Sequence, residues 1–240
     1  MKQYIAEFKI QNLILSISGL VLGALLSAAD YNVNWWSLLF LVASVLSLQV
    51  FTTVIPGIIF AVASVWMSYG TVLCLDSLIT LLLGYFVYRL VRNHSLSSAF
   101  FRNGIVVILT SLVIFGLLPV YGVYFVSAHS FGNVILLLPS ISIGSLSLAA
   151  VNAGALVDRK DKFIHSFWIM FGISAMLAFA SLRIFDPLHF IFVLLVPIFV
   201  LWLYRMWTGS NKMKSYEILL PFLILTFAVL TGLGFVAYLI

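Results

Sequence analysis

Seven long runs of apolar residues divide this chain, and each is long enough to cross a lipid bilayer as a single helix. A transmembrane helix needs about 20 apolar residues to span roughly 30 Å of hydrocarbon. The runs cover residues 10–29, 36–55, 104–127, 133–155, 164–184, 187–207 and 217–239. They predict an all-α fold, a polytopic membrane helix bundle.

The composition supports a membrane environment for the whole chain. Of its 240 residues, 64% are hydrophobic and 8% are charged, whereas soluble domains are about 45–50% apolar and about 25% charged. So few charges cannot coat a globule in water, which excludes a nucleic-acid-binding protein, a secreted protein and a cytosolic enzyme domain. We predict one integral membrane domain over residues 1–240, with the membrane and no nucleic acid as its surroundings.

The stretch 57–91 decides the topology, because it is too long for one helix and short for two. Lys and Arg mark the cytoplasmic side of membrane proteins. If the stretch crosses twice and turns at Gly70, eleven of the twelve basic residues lie inside and only Arg183 does not. One crossing would instead place the cluster Arg89, Arg92 and Arg102 outside. We therefore predict about nine spans in the cytoplasmic (inner) membrane, with the amino terminus inside and the carboxyl terminus outside.

The first span begins like a secretory signal, with Lys2 and Lys9 ahead of an apolar run. That run of about 19 residues exceeds the roughly 7–15 residues of a signal core. We expect a helix that is retained in the protein.

Small residues recur at helical spacing in two spans. Gly19 and Gly23 form a Gly-x-x-x-Gly pair, and Ser140, Gly144 and Ser147 follow one face of a later span. Small side chains let membrane helices approach closely, so the pattern predicts close helix packing. A groove that faces a ligand would give the same pattern.

One carboxylate lies within a predicted span. Asp76 follows Thr71 by five residues, which places it shallowly on the external side, and a charge deeper in the membrane would be costly. Asp76 is either solvated or capping a helix, or it marks a polar functional site. The second interpretation, together with the prolines in the spans, would fit a small membrane transporter.

The other polar candidates predict no metal or redox centre. The single cysteine, Cys74, cannot form an internal disulfide or a cysteine-based metal site. His129 and His189 are expected near the external surface, and His94 and His165 near the internal one. No pair of them has metal-ligand spacing, so we assign these histidines no role.

Several segments, taken in order, resemble a known family. Segments 12–23, 46–53, 115–125 and 139–159 are similar to helices of the UbiA-superfamily intramembrane prenyltransferases. The closest resemblance is to 1,4-dihydroxy-2-naphthoate prenyltransferases of menaquinone biosynthesis. For example, Phe115-Gly116 followed by Gly122-Val123-Tyr124-Phe125 looks like the family's Phe-Gly and Gly-Thr-Tyr-Phe helix. The nine-span topology is the family's too, and the resemblance implies a UbiA-like fold.

The resemblance also implies where a metal would bind, and this chain departs from the pattern there. Family members hold Mg²⁺ and a prenyl diphosphate with two aspartate motifs. The first motif aligns with Thr53, Pro56, Gly57 and, approximately, Phe60, none of which holds a metal. Of the second, Asn152 and Asp158 remain, with Asp161 nearby. Asn152, Asp158 and Asp161 are therefore residual positions for substrate or metal, and no catalytic residue is assigned.

Without paired carboxylates, little offsets the negative charge of a metal-bound diphosphate. We therefore expect a degenerate member, a pseudoenzyme that binds an isoprenoid or quinone or partners an active enzyme in the membrane. The alternative is an active prenyltransferase that attaches a polyprenyl chain to an aromatic acceptor with atypical metal ligands. In that case Mg²⁺ is its cofactor and Asp158 and Asp161 are essential.

Overall fold

A computed structural model describes the backbone of about half of the chain. The described residues are 2–30, 35–36, 38–40, 42–43, 59, 62–63, 112–124, 134–152, 159–183, 187–208 and 219–237. Within them, every residue is helical, and five helices are long and apolar enough to cross a membrane: Leu13–Asp30, Val134–Val151, Lys162–Leu182, Leu188–Thr208 and Leu219–Ala237. This confirms the predicted all-α membrane architecture. The spans predicted within 36–91 lie largely outside the described residues, so their number stays a prediction.

Five α-helices and three shorter helical segments of other types make up the described bundle. The α-helices are α1 (Lys2–Asp30), α2 (Leu137–Asn152), α3 (Arg159–Arg183), α4 (Val196–Thr208) and α5 (Leu219–Ala237). A π-helical segment covers Leu112–Tyr121. A 3-10 turn, Val134–Leu136, precedes α2, and a 3-10 segment, Pro187–Leu195, continues into α4.

Prolines set several of these boundaries. Pro139, Pro197 and Pro221 each lie in the first turn of an α-helix, where the missing N–H would have no partner anyway. The backbone just before Pro139 and Pro197 is 3-10 rather than α-helical, as expected from the clash of a proline ring with the preceding turn. Pro119 instead lies inside the π-helical segment.

The π-helical segment runs parallel to α1. A Cβ atom placed on Gly19 would lie 2.8 Å from Pro119 Cβ, and one placed on Gly23 would lie 2.9 Å from Val123 Cβ. Residue numbers therefore rise together along both elements. The close approach confirms that Gly19 and Gly23 serve helix packing.

The remaining neighbours alternate in direction. Gly116 lies against the Ser140 carbonyl and Gly144 lies against Leu112, so the π-helical segment and α2 are antiparallel. These contacts also confirm close packing at Ser140 and Gly144. After α3, the chain returns through the 3-10 segment and α4, and then α5 runs in the direction of α3.

Aromatic side chains fill the core between the last three spans. Phe227 of α5 makes edge-on contacts with Phe192 at 5.1 Å and with Phe199 at 5.8 Å between ring centroids. Farther along α5, Phe235 contacts Phe179 of α3 at 5.0 Å. Gly234 of α5 lies against the Leu188 carbonyl, so residue numbers fall along α4 and its 3-10 segment as they rise along α5, and α5 is antiparallel to them.

These directions bring the end of α2, the start of α3 and the last turn of α4 to the same end of the bundle. We call this the basic end, because it holds Lys162 and Arg205; Asn152 lies there too. Lys2 and Lys9 belong to the first half of α1 and so lie toward the same end. The opposite end holds Asp30 and Tyr124, at the ends of α1 and the stretch after the π-helical segment. Among the described basic residues, only Arg183 lies at this opposite end.

Candidate functional site

His165 lies near the basic end of the bundle, on the side of α3 that faces its neighbours. His165, Ile169, Gly172 and Met176 recur at three- and four-residue spacing and are all buried, as one face of an α-helix requires. The other side of the same helix exposes Phe163, Phe167, Met170 and Phe171. Helical geometry therefore turns His165 inward although it is only three residues from Lys162.

The imidazole of His165 packs against the indole of Trp202. Its ring centroid is 4.8 Å from that of Trp202 in α4, with the planes tilted by 33°. His165 is 2% exposed and Trp202 is 7% exposed. The two rings form a tilted aromatic pair between α3 and α4. We call this pair with its surroundings the His165 site.

Within the described part of the chain, neither ring nitrogen of His165 has a hydrogen-bond partner. Buried polar side-chain atoms in proteins are nearly always hydrogen-bonded, because an unpartnered one costs about 1–3 kcal/mol. A neutral imidazole offers one N–H donor and one nitrogen acceptor. The site therefore presents a donor and an acceptor for which no group in the described residues provides the complement.

Below the His165 site, toward the basic end, a chain of hydrogen bonds links α3 to α4. Trp207 Nε1 donates to Ser166 Oγ at 3.1 Å, and Ser166 Oγ donates to the Lys162 carbonyl at 2.8 Å. These bonds hold α4 at the register that places Trp202 against His165.

Two residual positions predicted from the resemblance belong to helices that end near this site. Asn152 is the last residue of α2, and Asp161 lies in the first turn of α3, one helical turn before His165. Their side chains lie outside the described part of the structure, as do Asp158 and Asp76 altogether. In the part of the chain that is described, no three His, Cys, Asp or Glu side chains group in a way that could hold a metal ion.

Two serines add further unpartnered polar atoms in the interior of α2. Ser142 Oγ and Ser147 Oγ are buried without a hydrogen bond, whereas Ser140 and Ser145 donate to the carbonyls of Leu136 and Ile141, four residues earlier. Ser142 lies against α3, since a Cβ on Gly172 would be 3.0 Å from its carbonyl oxygen.

Sequence reasoning assigned no role to His165. Its neighbours along the chain are apolar on both the buried and the exposed face of α3, so the sequence pattern gives no sign that it points inward. Its contact with Trp202, 37 positions later, and its unpartnered nitrogens become visible only in the packed helices.

Comparisons with protein-family models, curated proteins and solved structures found no match for this chain. The resemblance to UbiA-type enzymes therefore rests on the ordered segments quoted above.

Proposed function

We propose that this chain is a degenerate member of the UbiA superfamily that binds an isoprenoid or a quinone in its helix bundle, or partners an active enzyme, without transferring prenyl groups itself. The observation that carries the proposal is the placement of its acids. Of seven Asp and Glu residues, only Asp158 and Asp161 lie where the resemblance expects metal ligands.

The charges around these two acids oppose metal binding. Arg159, Lys160 and Lys162 alternate with them along the chain. Mg²⁺ prefers anionic oxygen ligands with near-ideal octahedral geometry, and three adjacent cations weaken any site that two carboxylates could form. A diphosphate would therefore lack the paired metal clamp that its departure requires.

The directions of the described helices support the proposed nine-span topology. The parallel direction of α1 and the π-helical segment favours an odd number of membrane crossings in the chain between them. The predicted topology has such a number, with one crossing in the apolar run 36–55 and two in the stretch 57–91. This parity is independent of the positive-inside argument and agrees with it. The gathering of the described basic residues, except Arg183, at the basic end supports a cytoplasmic amino terminus and an external carboxyl terminus.

The bundle offers suitable surroundings for an isoprenoid lipid. Its core is aromatic and aliphatic, as a prenyl chain requires, and the His165 site supplies polar atoms near the basic end. A prenylated ring could therefore place its tail in the apolar region and its ring oxygens at the site.

A prenyl-transfer assay tests the loss of catalysis. Membranes that contain the chain are incubated with radiolabelled prenyl diphosphate, dihydroxynaphthoate and Mg²⁺. We expect no turnover above membranes without the chain. Turnover that depends on Mg²⁺ and is abolished by Asp158→Asn and Asp161→Asn would instead establish the active enzyme with atypical ligands.

Lipid extraction tests the binding part. The purified chain is extracted with organic solvent and the extract is examined by mass spectrometry. We expect a quinone or polyprenyl lipid at a higher ratio to phospholipid than in the parent membrane. A parent-membrane ratio, together with failure to co-purify a prenyltransferase, would contradict the proposal.

A further inference from the structure

The His165 site differs from the other buried histidine of the described bundle in a way that points to a ligand. His189 is equally buried, at 2% exposure, and stacks on Phe235 at 4.1 Å. Only in His165 are both ring nitrogens buried and without a partner. Burial and contact with an aromatic ring are thus shared by the two residues, and the unpartnered nitrogens distinguish His165.

The depth of His165 limits what kind of molecule can reach it. His165 follows Lys162, the first residue of its candidate span, by three positions, which is about 4.5 Å along a helix. This is the level at which the polar head of a membrane-soluble molecule lies, just inside the interface. A water-soluble ligand would have to leave the aqueous phase to reach it, whereas a lipid with a small head group is already there.

The surroundings favour a neutral, flat head group. Trp202 and Met206 of α4 are buried beside α3, and burying an unpaired charge among apolar groups is strongly unfavourable. Both rings of the tilted pair are buried, so a head group that reached the His165 nitrogens would lie against aromatic rings, which pack well on another flat ring. An anionic head would instead find Lys162 and Arg205 closer to the membrane surface.

We infer that His165 binds the head group of a quinone or quinol, an inference that rests on the proposed function. The imidazole N–H donates to a ring carbonyl oxygen of the quinone, or the imidazole nitrogen accepts from a ring hydroxyl of the quinol. Trp202 packs against the same ring. Either redox form of the lipid satisfies one of the two nitrogens that the protein leaves unpartnered.

The test measures binding of 2-methyl-3-prenyl-1,4-naphthoquinone to the full chain in phosphatidylcholine nanodiscs, by titration calorimetry. His165→Phe keeps an aromatic ring in contact with Trp202 and removes both nitrogens, so we expect its Kd to rise at least tenfold. The matched control, His189→Phe, makes the same chemical change at an equally buried, stacked position and should keep Kd within twofold. His165→Gln, which keeps a donor and an acceptor, should recover part of the lost affinity.

The outcomes separate this inference from the proposed function. If wild type and His165→Phe bind the naphthoquinone equally, the role of His165 is wrong while isoprenoid binding stands. If wild type does not bind it but co-purifies with a polyprenyl lipid, the quinone head group is wrong and the proposed function remains. If the chain neither binds the naphthoquinone nor co-purifies with a polyprenyl lipid or a prenyltransferase, both fail. Tighter binding of phosphatidylglycerol than of the naphthoquinone, lost in His165→Phe, would also overturn the assignment to a neutral ring.

Discussion

The Tyr124 hydroxyl donates a 2.7 Å hydrogen bond to Asp30 Oδ2, across 94 positions of the sequence. The bond ties the last residue of α1 to the stretch that follows the π-helical segment, at the end of the bundle opposite the basic end. It agrees with the parallel direction that the contacts of Gly19 and Gly23 give to the two elements.

Removing this hydrogen bond should destabilise the bundle. Tyr124→Phe deletes the donor and leaves the ring, and a hydrogen bond to a charged group contributes about 1.5–3 kcal/mol. We expect the free energy of unfolding to fall by about 1.5 kcal/mol, near the lower value, because the bond is only partly buried. Denaturation in detergent micelles measures the change. Tyr204→Phe, at an exposed position on α4, is the control and should change stability little; equal losses in both variants would contradict the prediction.

Close contact between α1 and the π-helical segment should make one glycine irreplaceable. In Gly23→Ala the new Cβ would meet the Val120 carbonyl oxygen at 2.5 Å and Val123 Cβ at 2.9 Å. The helices would have to separate, and overpacking of this kind typically costs about 1–3 kcal/mol. Gly122→Ala is the matched control, because no atom of the described residues outside its own turn lies within 4 Å of its added Cβ. The thermal transition of purified protein should fall for Gly23→Ala only, and an unchanged transition would argue against the parallel contact.

The unpartnered nitrogens of His165 should make the lipid-free protein less stable than it would be without them. In the absence of ligand, His165→Phe removes two buried nitrogens that lack partners. A buried polar group without a hydrogen bond costs about 1–3 kcal/mol of folding free energy. We therefore expect the lipid-free variant to melt at or above the wild-type temperature, although it binds naphthoquinone poorly. Thermal denaturation of delipidated protein measures this. A large drop in melting temperature would show that His165 is a structural residue whose nitrogens find partners.

The predicted topology can be checked with impermeant thiol reagents in intact cells. In a Cys74→Ser background, Asn32→Cys should react from outside, whereas Ser97→Cys and Ser210→Cys should react only after the membrane is permeabilised. The reason is that the stretch 57–91 crosses twice in the proposed topology, which places both later positions inside. Reaction of Ser97→Cys together with Asn32→Cys in intact cells would mean a single crossing and would remove the parity on which the UbiA-like fold depends.

The sequence predicted the spans well where the structure describes them, because length and apolarity are what a bilayer demands. The runs 133–155, 164–184, 187–207 and 217–239 match helices within a few residues. Gly19 and Gly23 were also predicted correctly as packing residues, since small side chains have a direct steric meaning. The π-helical geometry of Leu112–Tyr121 was not predicted.

The site was harder to predict for a physical reason. Lipid is as apolar as the interior of the bundle, so lipid-facing and buried positions carry the same residues. On α3, Phe163 is 66% exposed and Phe179 is fully buried, and nothing in the sequence distinguishes them. The inward orientation of His165 and its contact with Trp202 therefore required the packed helices.

Native mass spectrometry of the purified chain, released gently from nanodiscs, tests the central claim most directly. We predict a bound species with the mass of a quinone or polyprenyl lipid, and its loss from His165→Phe but not from His189→Phe would identify a ring-bearing ligand at the site. If the mass spectra of wild type and both variants show only bound phospholipid, the account is contradicted.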